Sequence, residues 1–122
     1  MTMNVQQIRL ERVEFESVKP FDEVIGIVDE AIGHPDMRIL TERLTTADTY
    51  AEFERAVKSA VGKADLLEFL RLDLGRALWI DPEIKPYRLV RIIAGNPLIM
   101  KEMTRHVPDA GSYAPVTLLI YE

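Results

Sequence analysis

Apolar and polar residues interleave from Val5 to Val18, where Ile8, Leu10, Val13 and Phe15 are separated by Gln, Arg and Glu. Side chains alternate faces along a strand, so this segment is predicted to be one. The apolar positions change from even to odd between Leu10 and Val13, which predicts a bulge or a frayed end. Lys19-Pro20-Phe21-Asp22-Glu23 then opens a helix, with Pro20 in the first turn and two acids where the helix dipole favours negative charge. Phe21, Val24, Ile25, Val28 and Ile32 recur at the spacing of one helical face, and Gly33 and Pro35 end it.

Met37, Ile39, Leu40 and Leu44 predict a short strand over 37–44. Thr46-Ala47-Asp48 supplies cap chemistry for a second helix, whose face is Tyr50, Phe53, Val57, Ala60 and Val61 until Gly62. From Ala64 to Leu70 the pattern predicts a short helix leading into an extended segment kinked at Gly75. Leu70-Arg71-Leu72-Asp73-Leu74 alternates as a strand does, and Arg76-Ala77-Leu78-Trp79-Ile80 resembles another. Asp81 to Pro86 is a turn. Tyr87 to Ala94 is apolar on both faces, the mark of a central strand. Asn96 as N-cap and Pro97 at the first position start a third helix, which runs to about His106 and is stopped by Pro108. Pro108-Asp109-Ala110-Gly111 has the residue order of a type I turn, and Pro115 to Tyr121 is a last strand, again apolar on both faces. Helices and strands alternate, but the connections are too short and mixed for a doubly wound parallel sheet. The expected fold is a two-layer α+β sandwich: a mainly antiparallel sheet with helices packed on one face, in one domain over 1–122.

Composition narrows the function. The 122 residues include no cysteine, which excludes a thiol nucleophile, a cysteine zinc site and an iron–sulfur cluster. Fifteen basic against twenty acidic residues give a net charge of −5, which argues against nucleic acid and anionic membranes as partners. Met1-Thr2-Met3-Asn4 has neither a basic nor an apolar leader pattern, so a cytoplasmic protein is expected.

Three stretches together resemble a known family. They are Phe21-Asp22-Glu23, the run Tyr87-Arg88-Leu89-Val90-Arg91-Ile92-Ile93-Ala94-Gly95-Asn96-Pro97, and the closing Ala114-Pro115-Val116-Thr117-Leu118-Leu119-Ile120-Tyr121-Glu122. In order and spacing the chain is similar, over nearly its whole length, to the domain of unknown function numbered 302. Asn96, Pro97 and Pro115 stand where that family places its most recognisable residues. The resemblance implies an α+β fold with helices on a mainly antiparallel sheet, and a homodimer; it brings no reaction with it. The family's last proline is often followed by cysteine, whereas Val116 follows Pro115 here, so no thiol chemistry transfers. Gly62 to Pro86 is also longer and richer in leucine than the family pattern.

Candidate chemistry concentrates at the two ends of the third predicted helix. Gly95-Asn96-Pro97 places unpaired N–H groups and partial positive charge where an anion could sit, although capping alone accounts for these residue types. His106, Asp109, Ser112 and Tyr113 fall within eight residues. A Ser–His–Asp triad inside one turn would require all three to aim at one another, and no strand–nucleophile–helix elbow surrounds Ser112. A pocket shared by Gly95, Asn96, His106, Ser112 and Tyr113 asks less of the geometry. The rival is an acid–base enzyme using His106 with Asp73 or Asp109. Met100, Met103 and His106 share one arc of the helix and could ligate cuprous copper, but such methionines ordinarily fill a core or an interface. Of the carboxylates, Asp73 is expected to pair with Arg91 across the sheet; pairs such as Asp22–Glu23 and Glu52–Glu54 point apart and read as solvated surface. His34, in Gly33-His34-Pro35, reads as an exposed loop residue. The expectation is thus a small-ligand module with no cofactor or metal. A purely structural dimer, with Met100, Met103 and the last strand buried between subunits, is the third reading.

Overall fold

The computed structural model describes residues 1–113 and 115–122. The elements run α1 (Phe21–Ala31), α2 (Met37–Thr46), α3 (Tyr50–Ala60), β1 (Leu67–Asp73), α4 (Leu74–Leu78), β2 (Leu89–Gly95), α5 (Pro97–Thr104), a 3-10 turn (Pro108–Ser112) and β3 (Val116–Tyr121). The three strands form one antiparallel sheet in the order β1-β2-β3. The architecture is the expected α+β fold. β2 lies in the centre, with Ile92 opposite Arg71 on one side and Leu118 on the other.

Val90, Ile92 and Ala94 are buried on one face of β2, where Phe21, Ile25 and Val28 of α1 and Leu118 and Ile120 of β3 pack on them. A second cluster joins Leu40 of α2, Ala56 of α3 and Leu67 of β1, with Phe69 beside it. The opposite face is covered at one end, where Leu67 packs under α2 and α3, and open over the rest: Leu70 is 47% exposed, Leu119 48% and Tyr121 56%. The backbone closes tightly where α1 meets β1. Gly33 N donates to Leu66 O at 2.8 Å, Glu68 N donates to Gly33 O at 2.8 Å, and a Cβ on Gly33 would fall 1.8 Å from Ala60 O. Only glycine fits that approach.

Several expectations need correction. Val5 to Val18 forms no strand; it is exposed throughout and pairs with nothing among the described residues. Residues 37–44 are helical, because the Asp36 side chain accepts from Arg38 N and Ile39 N and so caps the first turn of α2. The expected short helix over 64–70 is instead a turn followed by β1, with Asp65 in the left-handed region at φ 56°. The extended segment does not continue past Gly75. The Asp73 carboxylate accepts from Arg76 N and starts α4, so the strand-like 76–80 run is mostly helix. The turn expected at 108–111 is part of a 3-10 turn, whose backbone repeats type I geometry, and α5 ends at Thr104, two residues before the expected end. The last strand is an edge strand, with β2 on one side only, and the face carrying Leu119 and Tyr121 is solvated while Leu118 and Ile120 pack on the α1 side. Ala114 of the closing run lies outside the described residues.

Candidate functional site

The Gly95-Asn96-Pro97 corner is built as the residue types dictate. Pro97 starts α5 and the Asn96 side-chain oxygen accepts from Leu98 N at 2.9 Å. The Asn96 amide nitrogen donates to Asp65 O at 2.8 Å, tying the helix start to the loop before β1. Both ends of this side chain are therefore engaged within the protein. Gly95 is buried, and a Cβ there would meet the Phe69 ring at 2.7 Å and Pro115 Cα at 3.3 Å. Close packing of β2 against its neighbours accounts for that glycine.

His106, Ser112 and Tyr113 lie beyond the other end of α5, all exposed. Eight residues of helix stand between Asn96 and the segment carrying His106, about 12 Å along the axis at 1.5 Å per residue. Ser112 and Tyr113 come just before Pro115, whose Cα would lie 3.3 Å from a Cβ on Gly95, so the chain returns from the far end of α5 toward its start. His106 makes no side-chain hydrogen bond among the described residues. Asp73 lies opposite Val90, at the far end of the strands from α5, and its carboxylate is spent on capping α4. Met100 is half-buried, while Met103 and His106 are exposed. Among the described residues no group of three His, Asp or Glu could hold a metal ion.

The expected Asp73–Arg91 pair is absent, for a reason of register. Asp73 is opposite Val90 and Leu72 is opposite Arg91, so the two charges point to opposite faces of the sheet. Arg91 is exposed on the open face and has no carboxylate partner among the described residues. Within the strands it is Arg71, on β1, that has carboxylate partners. It forks onto both carboxylate oxygens of Asp29 on α1, and its Nε donates to Glu68 at 2.6 Å. His34 joins from the loop after α1, with Nε2 at 2.9 Å from Asp29 O and Nδ1 at 3.4 Å from Glu68 Oε2. Two carboxylates, an imidazole and a guanidinium thus meet where α1 crosses β1. The hydrogen bonds to Asp29, then the hydrogen bond to Glu68 and the charges of both carboxylates, hold the Arg71 guanidinium above its ordinary pKa. This cluster spans 42 residues of sequence. Its only advance sign is an arginine placed inside a strand-like leucine run.

Two open depressions lie beside these elements. One of about 480 Å³ is lined by His34, Asp36, Arg43 and Ser59 among others, and one of about 330 Å³ by Arg43, Glu52 and Arg55. Neither includes Asn96, His106, Ser112 or Tyr113. No described helix is long and apolar enough to cross a membrane.

The family model for "Domain of unknown function DUF302" matches residues 42–122. The chain belongs to this family. The DUF302 match takes in α3, the whole sheet and α5, and leaves α1, His34 and the Phe21-Asp22-Glu23 stretch outside it. The Arg71 cluster is therefore divided, with Glu68 and Arg71 inside the DUF302 region and Asp29 and His34 outside it. No curated protein and no solved structure matches the chain.

Proposed function

We propose that this DUF302 domain is a self-associating module whose open sheet face is buried against the same face of a second copy. The observation that carries this reading is the run of exposed apolar side chains, Leu70, Leu119 and Tyr121, beside half-buried Leu72, Leu89 and Ile93. These side chains flank Arg91, which lies between Leu72 and Leu119, and a large exposed apolar patch rimmed by polar residues marks a contact site. A two-fold arrangement lets one patch serve as its own partner. Sedimentation equilibrium tests it: the expected mass is twice the 13.9 kDa chain, and Leu119→Glu with Tyr121→Glu is expected to return the monomer with an unchanged circular dichroism spectrum. A double variant that remains dimeric would remove the sheet face as the interface.

A small-anion role has a separate observation in its favour. The open 480 Å³ depression between α2 and α3 carries His34, Arg43 and Ser59, and the Asp36 carboxylate in its lining is engaged in capping α2. The α5 start at Gly95 and Asn96 is the other place for an anion, with Ser112 and Tyr113 just before Pro115 and His106 beyond the far end of the helix. Thermal shift with inorganic phosphate separates them. Loss of the shift in Arg43→Ala places the anion in the depression, and loss in Asn96→Ala places it at α5.

A further inference from the structure

We infer that residues Val5–Val18 are an exchange arm that adds as a fourth strand to the free edge of β3 in a second copy of this chain, an inference resting on the self-association reading above. The arm carries the alternation of a strand, yet its apolar side chains stand in solvent, with Phe15 92% exposed. β3 pairs with β2 on one side only. β1, the other edge, is partly closed by the Gly33–Leu67 bridge and by Arg71 reaching to Asp29. An unpaired edge presents a row of backbone donors and acceptors that an extended segment can complete.

The side chains fit the same placement. On the helix-covered face the core is unfinished at β3: Leu118 and Ile120 are only half-buried, and Val116, which shares their face, is 45% exposed. A strand that turns Val13 and Phe15 toward Leu118 and Ile120 necessarily turns Glu14 and Glu16 to the other face. That face carries Arg91, one of several arginines with no carboxylate partner among the described residues and the one that lies on this face of the sheet. One register therefore supplies apolar groups where the core is open and acids where a cation is free. The arm also starts from the right place. The Arg88 guanidinium lies 4.5 Å above the Phe21 ring and 2.9 Å from Asp22, while Glu122 N donates to Arg88 O, so the first turn of α1 sits beside the end of β3. An arm and an acceptor edge left open on one molecule make reciprocal exchange between two copies the closed arrangement.

The test compares the full chain, Val13→Asp with Phe15→Asp, and Leu119→Glu with Tyr121→Glu, by sedimentation velocity and amide hydrogen exchange. The arm lies outside both core clusters, so its variant is expected to keep the fold. The expected result is a dimer whose dissociation constant rises at least tenfold in the arm variant, with arm and β3 amides protected in the dimer only. An unchanged dissociation constant with freely exchanging arm amides would overturn the arm while leaving the sheet-face reading in place. Loss of dimer in the arm variant but not in the Leu119 and Tyr121 variant would overturn the sheet face and keep the arm. Arm protection in dilute monomer would overturn exchange in favour of pairing within one chain, and a full chain monomeric at every concentration would overturn both readings.

Discussion

Residues 89–95 and residues 5–18 carry comparable strand signals and have opposite fates. Leu89–Gly95 is paired on both sides, and Ile92 is completely buried between α1 and the flanking strands. Val5–Val18 has the same interleaving of apolar and polar residues with no strand partner among the described residues. Alternation states which face of a strand is apolar; it does not supply the neighbour whose N–H and C=O groups make the strand. β2 gains that neighbour twice because β1 and β3 reach it from both directions along the chain. The arm has no such neighbour among the described residues.

The two segments should therefore respond differently to the same kind of damage. Ile92→Ala removes most of a buried side chain from the centre of the sheet and is expected to cost about 4 kcal/mol, measured by urea unfolding. Gly33→Ala attacks the seam on which β1 is aligned. Its Cβ would overlap the Ala60 carbonyl, so the backbone must move, with an expected loss of about 3 kcal/mol on the same measurement. Asn96→Ala removes a helix cap and the bond to Asp65 O together, and about 1–2 kcal/mol is expected. Asn96→Asp should recover part of this loss, since it keeps the cap acceptor and loses only the amide donor. Phe15→Ala, measured in dilute monomer, should stay within about 0.5 kcal/mol of the parent. A loss near that of Ile92→Ala would mean that the arm is already part of the monomer's core, and the contrast would collapse.

Much of the fold was legible from local chemistry. Pro20 and the spaced apolar residues of 21–32 located α1; Asn96 and Pro97 located the start of α5; the two-sided apolar run 87–94 located the central strand. Each of these signals acts within a few residues. Residues 37–44 misled because the alternation of Met37 and Ile39 is equally the start of a helical face, and the Asp36 cap settles the matter. Leu66–Leu70 misled in the opposite sense, since a leucine run takes either form and the β2 edge selected the strand.

The candidate chemistry divides in the same way. Asn96 as a cap and Gly95 as a point of close approach followed from residue type, because a cap and a tight contact are local demands. His106 and Asn96 looked close because they bound one helix, but a helix is rigid and keeps its two ends apart. The Asp29–His34–Glu68–Arg71 cluster could not be read in advance, as it depends on where α1 crosses β1.

By itself the sequence determined the α+β class, the places where α1 and α5 begin and the central position of β2, because hydrogen-bonding caps and side-chain period operate over short distances. Only the tertiary structure decided which strands are edges, which charges meet, and that most of one face of the sheet and the edge of β3 stay open. Those are properties of pairing and register between distant segments, and no short window of residues contains them.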